Sequence, residues 1–96
     1  MDLLVGPTTP MTAYPIGSRS VRLGKKSIGS IAALTQYTRA FNLNGFPAIS
    51  IPCGFSEQGL PIGLQLAGKP YYENAILRTA YAYEQSTDWH NSRPPI

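Results

Sequence analysis

Two runs of alternating side chains most constrain what this chain can fold into: "AISIPCGF" over residues 48–55 and "IGLQLAG" over 62–68. In the first, Ile49, Ile51, Cys53 and Phe55 alternate with Ala48, Ser50, Pro52 and Gly54. In the second, Ile62, Leu64 and Leu66 alternate with Gly63, Gln65 and Ala67. Successive side chains of a strand point to opposite faces, so each run has one bulky and one small face. "SEQGLP" turns the chain between them, which predicts an antiparallel hairpin. The small face carries no charge. A sheet face open to water would be more polar, so a closely packed layer is expected against it. Pro52 cannot donate to a strand ladder, which predicts an edge or a bulge there.

The other segments organise around this hairpin. "DLLVG" is a short apolar run ended by Gly6 and Pro7 and predicts a buried strand. "PTTPMTAYPIGSRSVRLGKK" has three prolines and no period, and reads as a long irregular connection. In "SIGSIAALTQYTRAFNLNG", Ile31, Leu34, Tyr37, Thr38 and Phe41 recur at helical spacing. This predicts one helix with Ser27 or Ser30 as N-cap and Asn44-Gly45 as its stop. A last helix follows from Ile76, Leu77, Ala80, Tyr83 and Ala82, with Glu73 in its first turn. Trp89 is expected to pack down the end of that helix.

Composition bounds the class. Ninety-six residues suit one small domain or part of a larger one. The chain is 43% apolar and 14% charged, and charge is well below the usual quarter. A small soluble protein normally has a charged surface, so much of this surface is expected to be covered. No run approaches the roughly 20 apolar residues of a membrane span. "MDLLVGPTTP" has no basic segment of the kind that opens a secretory leader. One cysteine excludes an internal disulfide, and one cysteine with one histidine cannot build a four-ligand zinc site. The expected setting is the reducing cytoplasm, with no metal and no cofactor.

The charge is unevenly placed. Between Asp2 and Glu57 there is no acidic residue, and Arg19, Arg22, Lys25, Lys26 and Arg39 fall in that gap. The first four lie in "SRSVRLGKKSIGS". This run has no aromatic on which a base could stack and no phosphate-loop pattern, so it reads as a solvated loop. These features argue against a nucleic-acid partner, and an anion-binding loop is the alternative.

No catalytic constellation is visible. Cys53 alternates with Ile51 and Phe55 and has no base near it in sequence, so it reads as a buried core cysteine. His90, beside Asp88 and Trp89, reads as a surface or capping residue. No serine stands in a G-x-S-x-G elbow, and no S-x-x-K occurs. Glu57, Glu73, Glu84 and Asp88 are spread over a turn and a helix and form no acid–base pair.

"DLLVGPTTPMTAYPIG", "NLNGFPAISIPCGF", "GLPIGLQLAGKPYYE" and "AYAYEQSTDWH" together resemble the C-terminal part of the amidase signature family. The resemblance covers nearly the whole chain, with long motifs in the right order and spacing. It implies an α/β fold: residues 1–96 as the C-terminal part of an amidase domain, a mixed β-sheet flanked by helices. The family cleaves carboxylic amides, or transfers the released ammonia, with a serine nucleophile, a cis-serine and a lysine. Those residues lie in an earlier Gly/Ser-rich segment that this sequence does not contain, so no catalytic residue is assigned to this chain. The resemblance thus implies a partner, the N-terminal part of the amidase, and a small-molecule amide substrate. It also implies that the chain alone is inactive.

Thr35, Arg39 and Asn42 are the candidate substrate-side residues. Asn42, Gly45 and Pro47 resemble the family's N-L-x-G-x-P turn, in which Asn42 either bonds turn backbone or meets substrate. Thr35, seven positions before Asn42, stands where the similar amidating subunits of tRNA-dependent amidotransferases carry an acid that can pair with an amino group. An uncharged residue cannot make that pair, which favours a general amidase. Arg39 reads as an exposed helix arginine, or as a cation turned toward the pocket. The rival readings are a fragment of such an amidotransferase component, a stand-alone anion-binding domain, and a reading frame without cellular function.

Overall fold

The computed structural model describes residues 3–92. The two alternating runs form strands β4 (Ala48–Phe55) and β5 (Pro61–Gly68), paired antiparallel as expected, with Ile49 opposite Leu66 and Ile51 opposite Leu64. The register shifts between Pro52 and Gly54, and β4 lies at one edge of a three-stranded sheet ordered β1-β5-β4. Pro52 therefore sits at both an edge and a bulge. The remaining strand, β1 (Leu3–Pro7), pairs antiparallel with β5. Its apolar run predicts burial, yet Leu4 and Val5 are 52% and 59% exposed. The fold class is the expected one, and among the described residues every strand pairing is antiparallel.

The bulky face makes the core. Ile51 and Leu66 pack against Ile76 and Ala80 of the long helix Glu73–Ser86, with Leu3, Ile49, Leu64 and Tyr83 around them. Full burial of each large aliphatic side chain contributes about 1.5–3 kcal/mol. Leu77 and Ala82, read into the same stripe, face outward instead. Glu73 stands in the first turn, as expected. A single 3₁₀ turn, Trp89–Asn91, follows. There Trp89 meets Phe55 edge-on, with ring centroids 6.2 Å apart, and so ties the end of the helix to the bulged end of β4.

Two other expectations change. The connection after β1 is not wholly irregular: Ser20–Leu23 and Lys26–Gly29 form a second hairpin, β2–β3. Val21, Leu23 and Ile28 are half-buried while Arg22, Lys25 and Lys26 stay in water, so the basic run is strand and turn rather than loop. Gly24 turns it at φ +64°, a backbone conformation that glycine adopts without strain.

The expected single helix is two short ones, α1 (Ser30–Leu34) and α2 (Arg39–Asn44); Glu73–Ser86 is then α3. Neither serine caps α1 with its side chain; Gly29 is the N-cap. Gly45 does end α2, at φ +74°. The break has a local cause and a tertiary one. Thr35 and Thr38 turn their hydroxyls back onto the carbonyls of Ile31 (3.0 Å) and Thr35 (3.4 Å), a bond that competes with regular helix. The carbonyl of Tyr37, which a continuous helix would offer to Phe41, instead accepts from the Gln65 amide at 3.0 Å.

The chain exposes 7233 Å², against about 5,400 Å² expected of a self-contained protein of its mass. Ile31, Leu43, Leu77 and Tyr81 are among the large apolar side chains left in water. No helix of the described residues is long and apolar enough to cross a membrane.

Candidate functional site

The small face of the sheet, with α2 laid beside it, forms a cleft of about 300 Å³. Thr8, directly after β1, and Ser50 of β4 reach across β5 and share a hydrogen bond, Oγ1 to Oγ at 2.6 Å. Gly63 of β5 lies under that bond. A Cβ there would stand 2.9 Å from Ser50 Oγ and 3.0 Å from Thr8 Oγ1, so the two hydroxyls can meet only over a glycine. The backbone N–H of Thr8 donates to the Gly63 carbonyl at 3.1 Å and holds the segment in register. Thr38 and Asn42 supply the helical wall, and Gln65 the floor.

Gln65 is 8% exposed. Because its Nε2 must face the Tyr37 carbonyl, its Oε1 is the atom left to accept elsewhere. Gln65→Leu removes the donor to that carbonyl. We expect a loss of about 1–3 kcal/mol, with faster amide exchange over residues 36–41. An unchanged unfolding midpoint together with unchanged exchange in that segment would refute this role.

The candidate residues from the sequence are placed differently from one another. Asn42 is exposed and lines the cleft. Thr35 is half-buried and its hydroxyl is committed to Ile31. Arg39 opens α2, is exposed, and lies outside the cleft lining. The side-chain bond expected of a turn asparagine belongs to Asn44, whose Oδ1 accepts from the Phe46 N–H at 2.9 Å. Cys53 is half-buried rather than buried, and its Sγ donates to the Ile62 carbonyl at 3.6 Å. His90 lies with Nε2 at 4.0 Å from Glu84 Oε2, at the partly exposed end of α3.

Thr8, Ser50 and Gln65 are not legible from sequence because hydroxyls and amides on a small sheet face carry no motif of their own. The only signal is the glycine between them.

No lysine, histidine or carboxylate lines the cleft, so none of its three hydroxyls has a base within the lining to activate it. Among the described residues no cluster of His, Cys, Asp or Glu could hold a metal ion. A larger depression, about 590 Å³, lies outside α3 over Asn74, Leu77, Arg78 and Tyr81. It is bounded by a single helix face, on which Arg78 Nε donates to the Asn74 carbonyl at 3.4 Å.

The antiparallel sheet carries one long helix on its bulky face and, on its small face, a cleft bordered by α2. A family model of amidases matches residues 1–77, and the chain belongs to that family. Among particular proteins, it is 49% identical over 94 residues to the A component of glutamyl-tRNA(Gln) amidotransferase from Thermodesulfovibrio yellowstonii, covering 98% of this chain and 18% of the relative. It is likewise 49% identical over 96 residues to the same component from Synechococcus sp. strain JA-2-3B'a(2-13), again 18% of that relative's length.

Among solved structures, 6-aminohexanoate cyclic dimer hydrolase superposes with a TM-score of 0.84 at 32% identity, over 98% of this chain and 21% of the hydrolase. A crystal structure of an amidase superposes with a TM-score of 0.83 at 30% identity, over 88% of this chain and 19% of that one. The chain thus spans about a fifth of the length of the relatives it matches.

Proposed function

We propose that this chain is the C-terminal part of an amidase that hydrolyses carboxylic amides to acid and ammonia. In this reading the serine, cis-serine and lysine come from a longer N-terminal portion, and the chain alone is inactive. The observation that carries it is the uncovered surface. An accessible area about a third above that of a self-contained protein, with apolar side chains on both helical flanks in water, suits a piece whose remaining faces are meant to be packed. Its partner is then that N-terminal portion, its substrate a small amide, and its compartment the cytoplasm.

The test is complementation. A solved amidase relative is expressed without the segment equivalent to this chain, and the 96-residue chain is supplied in trans. Ammonia release is expected from the pair and from neither half. Ammonia release from the chain alone would overturn the proposal. So would failure of the chain to restore activity where the relative's own segment, supplied the same way, succeeds.

A second reading, a fragment of a transamidating component, is supported by the 49% identity to two such proteins. Against it stands Thr35, uncharged and bonded to backbone at the position where an amino-group partner would be needed. In the complemented enzyme, preference for glutamine over simple amides would favour this second reading.

A further inference from the structure

We propose that Tyr71 is an anchor side chain: the turn between β5 and α3 holds its ring out for insertion into the body that covers this chain, the N-terminal portion of the amidase. The occupant rests on the amidase reading; the separation of the ring from its own chain does not.

The backbone at Tyr71 carries the proposal. The Tyr72 N–H donates to the Lys69 carbonyl at 3.1 Å and closes a turn over Lys69, Pro70, Tyr71 and Tyr72. Proline at the second position and a positive φ at the third mark a type II turn, whose third position suits glycine or asparagine. Tyr71 stands there at φ +70°, and among the described residues no other non-glycine residue has a positive φ. A Cβ in that region crowds the backbone, so tyrosine strains the turn where glycine would not. Nothing within the chain offsets the strain, because Tyr71 is 93% exposed. Tyr72 beside it is accounted for: its Cβ stands against Gly68, and Lys69 Nζ lies 5.8 Å from its ring centroid. A side chain that strains its own turn and packs on nothing in its own chain has its use outside that chain.

The turn also fixes where the ring goes. On one side it leaves β5, where the Gly68 N–H donates to the Pro47 carbonyl at 3.1 Å. On the other it enters α3, where the Ile76 N–H donates to the Tyr72 carbonyl at 3.0 Å. Pro70 stiffens the segment between them. An aromatic ring on so fixed a backbone loses little freedom on docking and buries a large apolar area. The extent of uncovered surface points to the occupant. The excess of about 1,800 Å² over a self-contained protein of this mass is more than twice the roughly 800 Å² that each partner loses in a standard interface. That extent suits the remainder of the same fold and exceeds what a transient partner covers.

The experiment reads Tyr71 in two settings. In the 96-residue chain alone, Tyr71→Gly is expected to raise the urea midpoint and Tyr71→Ala to leave it unchanged. A fall with both variants would mean that the ring packs within its own chain, and would overturn the proposal. The chain is then titrated into the amidase relative that lacks the equivalent segment. Tyr71→Gly and Tyr71→Ala are each expected to weaken association about thirtyfold, a change equivalent to about 2 kcal/mol. Tyr71→Phe, which keeps the ring, should stay within about threefold of the parent. Association undiminished by both truncations would overturn the anchor and leave the amidase reading standing. A parent chain that fails to associate where the relative's own segment succeeds would overturn that reading and the occupant with it. Self-association of the chain that Tyr71→Gly abolishes would overturn the occupant in favour of a second copy.

If the chain alone shows no cooperative transition, or the shortened relative is insoluble, the substitutions are made in a single-chain fusion of the relative's N-terminal portion to the 96 residues. There Tyr71→Gly is expected to lower the urea midpoint although glycine relieves the turn. A raised or unchanged midpoint would overturn the proposal.

Discussion

Leu66→Ala is expected to cost about 2–5 kcal/mol, the range for deleting a buried leucine side chain beyond Cβ. Leu66 is 2% exposed on the central strand β5, and it packs with Ile51, Ile76 and Ala80. It joins all three strands' bulky face to α3, and β5 is the strand on which both β1 and β4 depend for pairing. A self-contained chain of this length would have about 5–14 kcal/mol of stability in all. The substitution should therefore remove a large share of it, read as a fall in the urea midpoint or loss of a cooperative transition. A shift smaller than about 0.5 kcal/mol, the range of surface substitutions, would mean that this cluster does not hold the fold together.

Gly68→Val should destabilise by the opposite route. A Cβ at Gly68 would lie 3.0 Å from Leu3 Cδ2, 3.2 Å from Tyr72 Cβ and 3.3 Å from Ile76 Cδ1. These neighbours come from β1, from the turn before α3 and from α3 itself, so no single rotamer change relieves all three. Tyr72 contributes its Cβ, which is fixed to the backbone. Overfilling a packed site of this kind costs about 1–3 kcal/mol, occasionally more.

Gly6→Ala is the control, since a Cβ there meets nothing within 4 Å; its midpoint should stay within about 0.5 kcal/mol of the parent. If both glycine substitutions proved equally mild, β1 and α3 would not converge on β5 as described. Leu66 and Gly68 share Ile76 through the core, so their effects should not add in the double variant.

The hairpin is legible in the sequence because its signal is local. Period-two alternation, a polar turn and a proline without an N–H each act within a few residues, and together they define register, edge and bulge. Gly45 as the stop of α2 and Glu73 in the first turn of α3 are legible for the same reason. In the basic run the charges mask the alternation of Val21 and Leu23, so a strand reads as loop.

The residues of the cleft are not legible, because their relation is one of distance across strands. Thr8 and Ser50 are 42 positions apart and meet only because β1 and β4 flank β5 over Gly63. The helix break shows the same division. The sequence by itself determined a helical period from Ile31 to Phe41 and an uncharged small sheet face. Thr35 and Thr38 loosen that helix locally, but only the tertiary structure decided that it would part at Tyr37. A buried amide on β5 needs an acceptor, and the Tyr37 carbonyl supplies one at 3.0 Å at the expense of an intrahelical bond.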